Sequence, residues 1–303
     1  MKIIRKIALV TFLSVLGLVT FIAASIFVDG WIGTRRLDSI SNASVASPGG
    51  SAVRAYVARP AGAGPHPTVI MIHEFWGLNI EMRDKADLLA RAGYVVVAPD
   101  MFRGSSTSWI PRAIYQTLTT PQAQRNTDLD AVYAWLEQQP EVNPARVAVI
   151  GFCFGGATSL RYSLWNPKLA ATAIFYGSPI SDADELKSLP GPLLGVFGGA
   201  DTSIPLAEVG AFETALITAG IPNTITIYPD QPHAFISDLA AIEAGGAPGA
   251  AWAQLLDFLD SALRTTPQAT RPLRAPRVVA EAGLEYYVRL AFAHTLTGHG
   301  THP

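Results

Sequence analysis

The sequence predicts an α/β domain with a mostly parallel central sheet and helices on both faces, preceded by a single membrane-spanning helix. Between residues 50 and 265, short β-rich runs alternate with longer runs of helical period, which is typical of βαβ units. Most of the short runs are apolar throughout, as expected of strands covered on both faces. Residues 7–28 form a stretch of 22 residues without Asp, Glu, Lys, Arg or His, long enough to cross a hydrocarbon core as a helix.

The N-terminal segment, residues 1–30, is interpreted as a membrane anchor. Its basic residues precede the apolar run: Lys2, Arg5 and Lys6. Positive charge on that side predicts a cytoplasmic N-terminus, with the rest of the chain on the periplasmic or extracellular side. A cleaved signal peptide is the alternative, because the small residues at 23–25 could form a peptidase site and release a secreted protein.

Seven strands are predicted in the body, each a short run of β-branched or other apolar residues. In chain order they cover residues 53–58, 68–73, 94–98, 147–150, 173–176, 193–197 and 224–228. Helices are predicted between them. The helix at 82–92 ends at Gly93, a second ends before Pro140, and two more cover 207–219 and 251–263. Residues 50–265 are therefore expected to form one domain.

Two connecting segments show no clear period. Residues 31–49, rich in Ser, Gly, Arg and Ala, are interpreted as a spacer between the anchor and the body. Residues 101–125 form a long connection, which either covers a site or is a plain surface loop.

The C-terminal extension, residues 266–303, has helical potential over residues 278–296. The residues on one side of this helix are Leu284, Tyr287, Val288 and Ala291. Such a helix either docks on the domain or lies on the membrane. Three histidines of the extension lack a convincing ligand spacing: His294, His299 and His302. No metal site is therefore predicted.

Composition excludes several classes of function. The chain has 22 Lys and Arg against 24 Asp and Glu, so no global basic field favours nucleic acid as a partner. Hydrophobic residues make up 49% and charged residues 15%, which excludes a disordered chain. The single cysteine, Cys153, excludes an internal disulfide, a multi-cysteine zinc cluster and a Cys-x-x-Cys redox pair. Its thiol is either inert packing or a nucleophile.

Cys153 lies between a predicted strand and a predicted helix, in the run Gly151-Phe152-Cys153-Phe154-Gly155-Gly156. This is the nucleophile-elbow pattern of the α/β-hydrolase fold, with cysteine in place of serine. The glycines leave room at a sharp turn where the backbone and the substrate approach closely. The following helix N-terminus favours a thiolate. The alternative is a structural cysteine between packing glycines.

In α/β-hydrolases an acid and a histidine follow the nucleophile, each on a loop after a later strand. His233 fits that order, because the other five histidines lie before Cys153 or in the C-terminal extension. Asp201 ends the small-residue turn after the strand at 193–197 and is the favoured acid. The competing carboxylates Asp182 and Asp184 lie in a stretch more typical of helix capping.

Glu74 follows the predicted strand 68–73, in His73-Glu74-Phe75-Trp76-Gly77. A carboxylate at the end of a central strand points into the crevice where open α/β sheets bind ligands. A salt bridge at the start of the loop is the alternative role for this side chain.

Four separated motifs resemble the dienelactone hydrolase family over residues 50–262. They are His73-Glu74-Phe75-Trp76-Gly77, the run around Cys153, Gly198-Gly199-Ala200-Asp201 and Pro232-His233-Ala234-Phe235. The resemblance implies a triad of Cys153, His233 and Asp201, with Glu74 helping to take the thiol proton. It also implies an oxyanion hole formed by the backbone N–H groups of Phe75 and Phe154.

The expected reaction is hydrolysis of a small ester or lactone through a thioester on Cys153, without a metal or an organic cofactor. Arg103 and Trp76 are the candidate substrate contacts, and Arg103 follows the family's Pro-Asp pair at Pro99-Asp100. The family's second carboxylate-binding arginine has no counterpart here, where Ile236-Ser237 follows the histidine motif. The alternative function is a catalytically weak, membrane-tethered binding protein on a hydrolase fold. The sequence leaves the substrate and the oligomeric state open.

Overall fold

Eight strands form one sheet in the computed structural model, which describes residues 2–48, 50–265, 277 and 279–297. The strands are β1 (Ala43–Val45), β2 (Val53–Ala58), β3 (His66–Ile72), β4 (Val95–Pro99), β5 (Val142–Phe152), β6 (Ala171–Phe175), β7 (Leu193–Gly198) and β8 (Asn223–Tyr228). Their spatial order is β1-β2-β4-β3-β5-β6-β7-β8. β2 is antiparallel to both β1 and β4, and all other pairs are parallel. The α/β-hydrolase fold with a mostly parallel sheet is confirmed.

The helices are α1 (Lys2–Ile40), α2 (Ile80–Arg91), α3 (Ile110–Thr119), α4 (Gln122–Leu136), α5 (Phe154–Trp165), α6 (Ala183–Leu186), α7 (Leu206–Thr218), α8 (Leu239–Glu243), α9 (Gly246–Asp260) and α10 (Leu284–Thr297), with a π-helical turn at Ser261–Thr265. Side-chain caps fix several of their starts. Asn79 accepts a hydrogen bond from Met82 N at the start of α2. The predicted capping role of Asp182 is confirmed, since its carboxylate accepts from the backbone N–H groups of Asp184 and Glu185.

The core lies along the six parallel strands. Residues of β4, β6 and β7 are buried throughout, which explains why these strands are apolar without alternation. Because β3, β5, β7 and β8 run in the same direction, the loops that follow them meet at one edge of the sheet. The motifs around Glu74, Cys153, Asp201 and His233 all lie on those loops.

The predicted spacer over 31–49 is not irregular, because α1 continues unbroken to Ile40 and β1 follows it. Contacts with the body hold this stretch helical. Leu37 is fully buried, and Gly33 lies so close to Ser106 that an added Cβ would collide with its backbone oxygen. Because a close approach at one glycine holds this part of the helix against the body, the stretch lacks the periodic apolar pattern from which a helix is predicted.

Within the described residues, α1 is the one helix long and apolar enough to cross a membrane, and its position near the N-terminus also fits a signal sequence. The long connection at 101–125 is not irregular, since it contains α3 and the first turn of α4. α3 packs against α1. Gln116 on α3 donates its side-chain N–H to the backbone oxygen of Phe75 (2.8 Å), so this segment supports the loop after β3.

The C-terminal extension forms the expected helix, α10, and docks on the body. Its buried residues are Tyr286, Tyr287, Leu290, Ala293 and His294. Of the residues predicted on its apolar side, Tyr287 is buried, but Leu284 and Val288 are exposed. The buried face is rotated because His294 packs on the rings of Phe75, Trp76 and His233. His299 and His302 lie outside the described residues.

Candidate active site

Cys153 occupies a strained turn between β5 and α5. Its backbone has φ 55° and ψ −116°, a conformation that L-residues rarely adopt outside special sites. The glycines on either side are required sterically, because a Cβ on Gly151 would meet Gly155, and a Cβ on Gly155 would meet the backbone of Ile72. The predicted strand-turn-helix geometry is therefore present, with the sulfur at the N-terminus of α5.

His233 and Asp201 form a buried hydrogen-bonded pair. The His233 Nδ1–H donates to Asp201 Oδ2 over 2.7 Å, and both side chains are almost completely buried. The other carboxylate oxygen, Oδ1, accepts from the backbone N–H of Ser203 (2.7 Å) and from its hydroxyl (2.6 Å). Ser203 thus positions the acid. Sequence reasoning missed it, although a hydroxyl residue two positions after an aspartate at a turn is a recognisable signal.

The thiol of Cys153 and the imidazole of His233 are neighbours in the buried site. The Cys153 sulfur and a ring nitrogen of His233 lie within 4.8 Å of each other. Burial raises the pKa of the Cys153 thiol, although His233 and the backbone N–H of Phe154 act in the opposite direction. Burial also lowers the pKa of His233, but the charges of Cys153 and Asp201 and hydrogen bonds to both outweigh it and raise the pKa to about 10.

Asp201 stays ionised in this arrangement. Burial raises the pKa of its carboxyl group, but the hydrogen bonds from His233 and Ser203 outweigh burial and lower the pKa below its usual value. Asp201 therefore carries a negative charge that stabilises a protonated His233. In this arrangement the thiol proton of Cys153 can pass to His233.

Glu74 faces the same site from the loop after β3. Burial raises the pKa of its carboxyl group, while the charges of Lys85 and His233 oppose that shift. The Tyr176 hydroxyl, beside this carboxyl group, also acts against the shift. Lys85 is itself buried and donates to the backbone oxygen of Ser237 (2.7 Å). The structure therefore brings Glu74 close enough to His233 and Cys153 for electrostatic interaction.

α10 packs against the site through His294. The His294 ring lies 4.7 Å from the Phe75 ring, 5.3 Å from Trp76 and 5.3 Å from His233, measured between centroids. Donor atoms of Cys153, His233 and His294 lie within 4.8 Å of one another, and all three residues are buried. Among the described residues, these are the side chains that could hold a metal ion. The sequence groups His294 only with its neighbours in the chain, so this contact could not be predicted.

A cavity of about 410 Å³ adjoins the Glu74 side of the site. Glu74, Trp76 and Ala234 line it from the body, and Arg36 and Ile40 line it from the end of α1. Trp76 is thus placed as a substrate contact would require. Arg103 is instead bound to Asp128, donating to its two carboxylate oxygens over 2.8 and 3.0 Å. Its role in substrate binding stays a prediction.

Comparisons with known proteins agree with this geometry. The family model described as "Dienelactone hydrolase family" matches residues 53–263. A Synechocystis protein with a proposed carboxymethylenebutenolidase activity is 33% identical over 233 residues, covering 70% of this chain and 93% of the relative. A Methylorubrum extorquens protein with the same proposed activity is 30% identical over 220 residues, covering 68% and 76%.

Solved structures agree as well. The crystal structure of a proposed dienelactone hydrolase from Klebsiella pneumoniae superimposes with a TM-score of 0.64 at 29% identity, covering 72% of this chain and 97% of that one. The family match begins at residue 53, so α1 lies outside it, and it ends at residue 263, before α10.

Proposed function

This chain belongs to the dienelactone hydrolase family, and we propose that it hydrolyses ester or lactone bonds with Cys153 as the nucleophile. In this proposal His233 is the general base and Asp201 holds its ring. The observation that carries the proposal is the buried Asp201–His233 hydrogen bond of 2.7 Å beside a cysteine at a strained strand-to-helix turn. A structural cysteine would need neither partner.

Acylation begins when the Cys153 thiol gives up its proton to neutral His233, with Glu74 as a second buried acceptor close by. The sulfur attacks the carbonyl carbon, a C–S bond forms, and the electron pair moves to the carbonyl oxygen. Backbone N–H groups of Phe75 and Phe154 stabilise that oxyanion. Collapse breaks the C–O bond, and His233 returns the proton to the leaving alkoxide. A thioester on Cys153 remains.

In deacylation, water takes the place of the thiol as the group that His233 deprotonates. His233 takes a proton from water, the hydroxide attacks the thioester carbon, and the C–S bond breaks to give the carboxylic acid and the Cys153 thiol. Asp201 keeps the imidazole in one orientation and stabilises its positive charge during both half-reactions. The cavity beside Glu74 and Trp76 supports binding of a small organic substrate.

The proposal places the enzyme on a membrane. The apolar run at 7–28 supports an anchor, and the basic residues before it support a catalytic body outside the cytoplasm. Cleavage of the segment as a signal peptide is the competing outcome. Detection of the N-terminal peptide in the mature protein by mass spectrometry distinguishes the two.

The test is hydrolysis of a small chromogenic ester by Cys153→Ala. We expect a loss of at least about 10³-fold in kcat/KM, because the nucleophile and base act as a unit. His233→Gln should fall similarly, whereas His66→Gln serves as the matched control, since His66 begins β3 at the opposite end of the sheet. Wild-type turnover by Cys153→Ala contradicts the assignment.

A further inference from the structure

The apolar run of α1 is in contact with the body before it ends. Three contacts join it to the segment at α3: Trp109 Nε1 donates to Ser25 Oγ (3.2 Å), Arg112 donates to the backbone oxygen of Ile26 (3.5 Å), and the rings of Phe27 and Tyr115 lie 6.5 Å apart. All three partners on α1 belong to the uncharged stretch at 7–28. The body therefore begins at the level where the candidate membrane span ends.

These contacts determine where α3 lies relative to the candidate membrane span. An α-helix rises about 1.5 Å per residue, so residues 25–27 lie within about 5 Å of the end of the run at residue 28. If residues 7–28 fill the hydrocarbon core, the side chains touching residues 25–27 lie at its outer boundary. The N-terminal half of α3 must then meet the lipid headgroups.

The side chains exposed at this level suit a lipid interface. Trp31 is 62% exposed, Trp109 40% and Tyr115 40%, although all three are large aromatic residues. Leu118, one helical turn after Tyr115 on α3, is 49% exposed. Tryptophan and tyrosine concentrate at membrane interfaces because one end of each ring is apolar and the other binds water. Clustered exposure of this kind costs free energy in water, and contact with lipid removes that cost.

Arginines flank the same aromatic side chains. Arg35 lies over the Trp31 ring at 4.2 Å, and Arg112 lies over the Tyr115 ring at 5.3 Å. Guanidinium groups beside interfacial aromatics can reach phosphate groups while their aliphatic stems cover apolar surface. The charge at this level therefore favours a bilayer that contains anionic lipid.

We propose that Trp31, Trp109, Tyr115 and Leu118 form a lipid-contact face that seats the catalytic body on the outer surface of the bilayer. The partner is the lipid surface itself, with anionic headgroups against Arg35 and Arg112. The inference rests on the membrane anchoring proposed above, but not on the hydrolase chemistry. It extends the contact from one spanning helix to a surface of the folded body.

The test uses full-length protein in vesicles of phosphatidylcholine and phosphatidylglycerol. In a Cys153→Ser background, an environment-sensitive fluorophore is attached at Tyr115→Cys or Leu118→Cys. The matched control is Ile217→Cys on α7, since Ile217 is a similar aliphatic residue, 66% exposed. We expect blue-shifted emission at 115 and 118, quenched several-fold more strongly than at 217 by lipids carrying a quencher near the headgroup.

Equal emission and equal quenching at 118 and 217 would overturn the lipid-contact face. Flotation of the same vesicles reports the anchor separately, because a chain without a membrane span stays with the unbound fraction. The hydrolase assignment is tested separately, by measuring ester turnover with the wild-type protein, which carries neither the label nor the Cys153→Ser substitution. Vesicles of phosphatidylcholine alone form a further arm, where weaker quenching at 118 is expected if Arg35 and Arg112 bind anionic headgroups.

Discussion

Three side chains from three loops set the protonation state of the site. Asp201 stabilises positive charge on His233, and burial raises the pKa of the Cys153 thiol. The N-terminus of α5 alone therefore does not produce a thiolate, and the thiol proton must pass to a neutral His233 before the sulfur can attack. Reactivity then depends on pH through His233.

We therefore expect kcat/KM for a neutral ester to rise as pH increases from 7 towards 10. The Asp201 carboxylate raises the pKa of His233, so the fraction of neutral imidazole grows as pH increases through this range. Asp201→Asn should shift the rise to lower pH while reducing the maximum, because the carboxylate that stabilises the imidazolium is gone. A pH–rate profile that is flat from 7 to 9 contradicts this view of the resting site.

For individual residues, the sequence predicts the candidate catalytic side chains but not the side chains that position them. Cys153, Asp201 and His233 could be chosen by their order and by the strands before them, because the fold fixes which loops meet. Ser203 was missed although its position two residues after Asp201 is a readable turn signal. Tyr176 was missed because nothing in its local sequence indicates a carboxyl group from a distant part of the chain. Arg103 was chosen as a substrate contact because it follows the Pro99-Asp100 pair. Its position in the chain could not show that its guanidinium group binds Asp128.

The element that most changes the site is α10. Its docking places His294 against Phe75, Trp76 and His233, beside a Cys153 that is fully buried. The helix itself was predictable from its composition, but its buried face was not, because the partners lie more than 50 residues earlier in the chain. The same reason applies at 31–49, where contacts with the body make a polar stretch helical.

Removing the His294 side chain should expose the thiol. We expect His294→Ala to react several-fold faster than wild type with a bulky maleimide at Cys153, because a ring packed on Phe75 and His233 is lost. Phe292→Ala on the same helix is the matched control, since Phe292 points to solvent. Alkylation rates followed by mass spectrometry decide the matter, and equal rates in all three proteins would show that α10 does not limit access.

Across the whole molecule, α1 and the body act as one unit. The joint depends on Gly33, where a side chain would collide with Ser106, and on Leu37, which is fully buried. The mostly parallel sheet and the loop that carries each candidate catalytic residue follow from the sequence. The rigid attachment of α1 does not, since it depends on one close backbone approach.

Gly33→Ala should loosen this joint. Steric overlap typically costs about 1–3 kcal/mol, so backbone amides at 33–40 are expected to exchange hydrogen faster than in the wild type. Gly17→Ala is the control on the same helix, because nothing lies within 4 Å of a Cβ added there. Unchanged exchange at 33–40 in Gly33→Ala would mean that the helix end tolerates displacement.

A continuous helix has a consequence for how such an enzyme searches for substrate. A flexible linker of ten or more residues would let a tethered domain sweep a hemisphere tens of ångströms in radius. If α1 is the membrane anchor proposed above, its unbroken course to Ile40 holds Cys153 at a constant height above the bilayer. The anchored enzyme would then meet its substrate only in a thin layer above the bilayer. It would search that layer by lateral diffusion, and not by movement of the domain on a flexible tether.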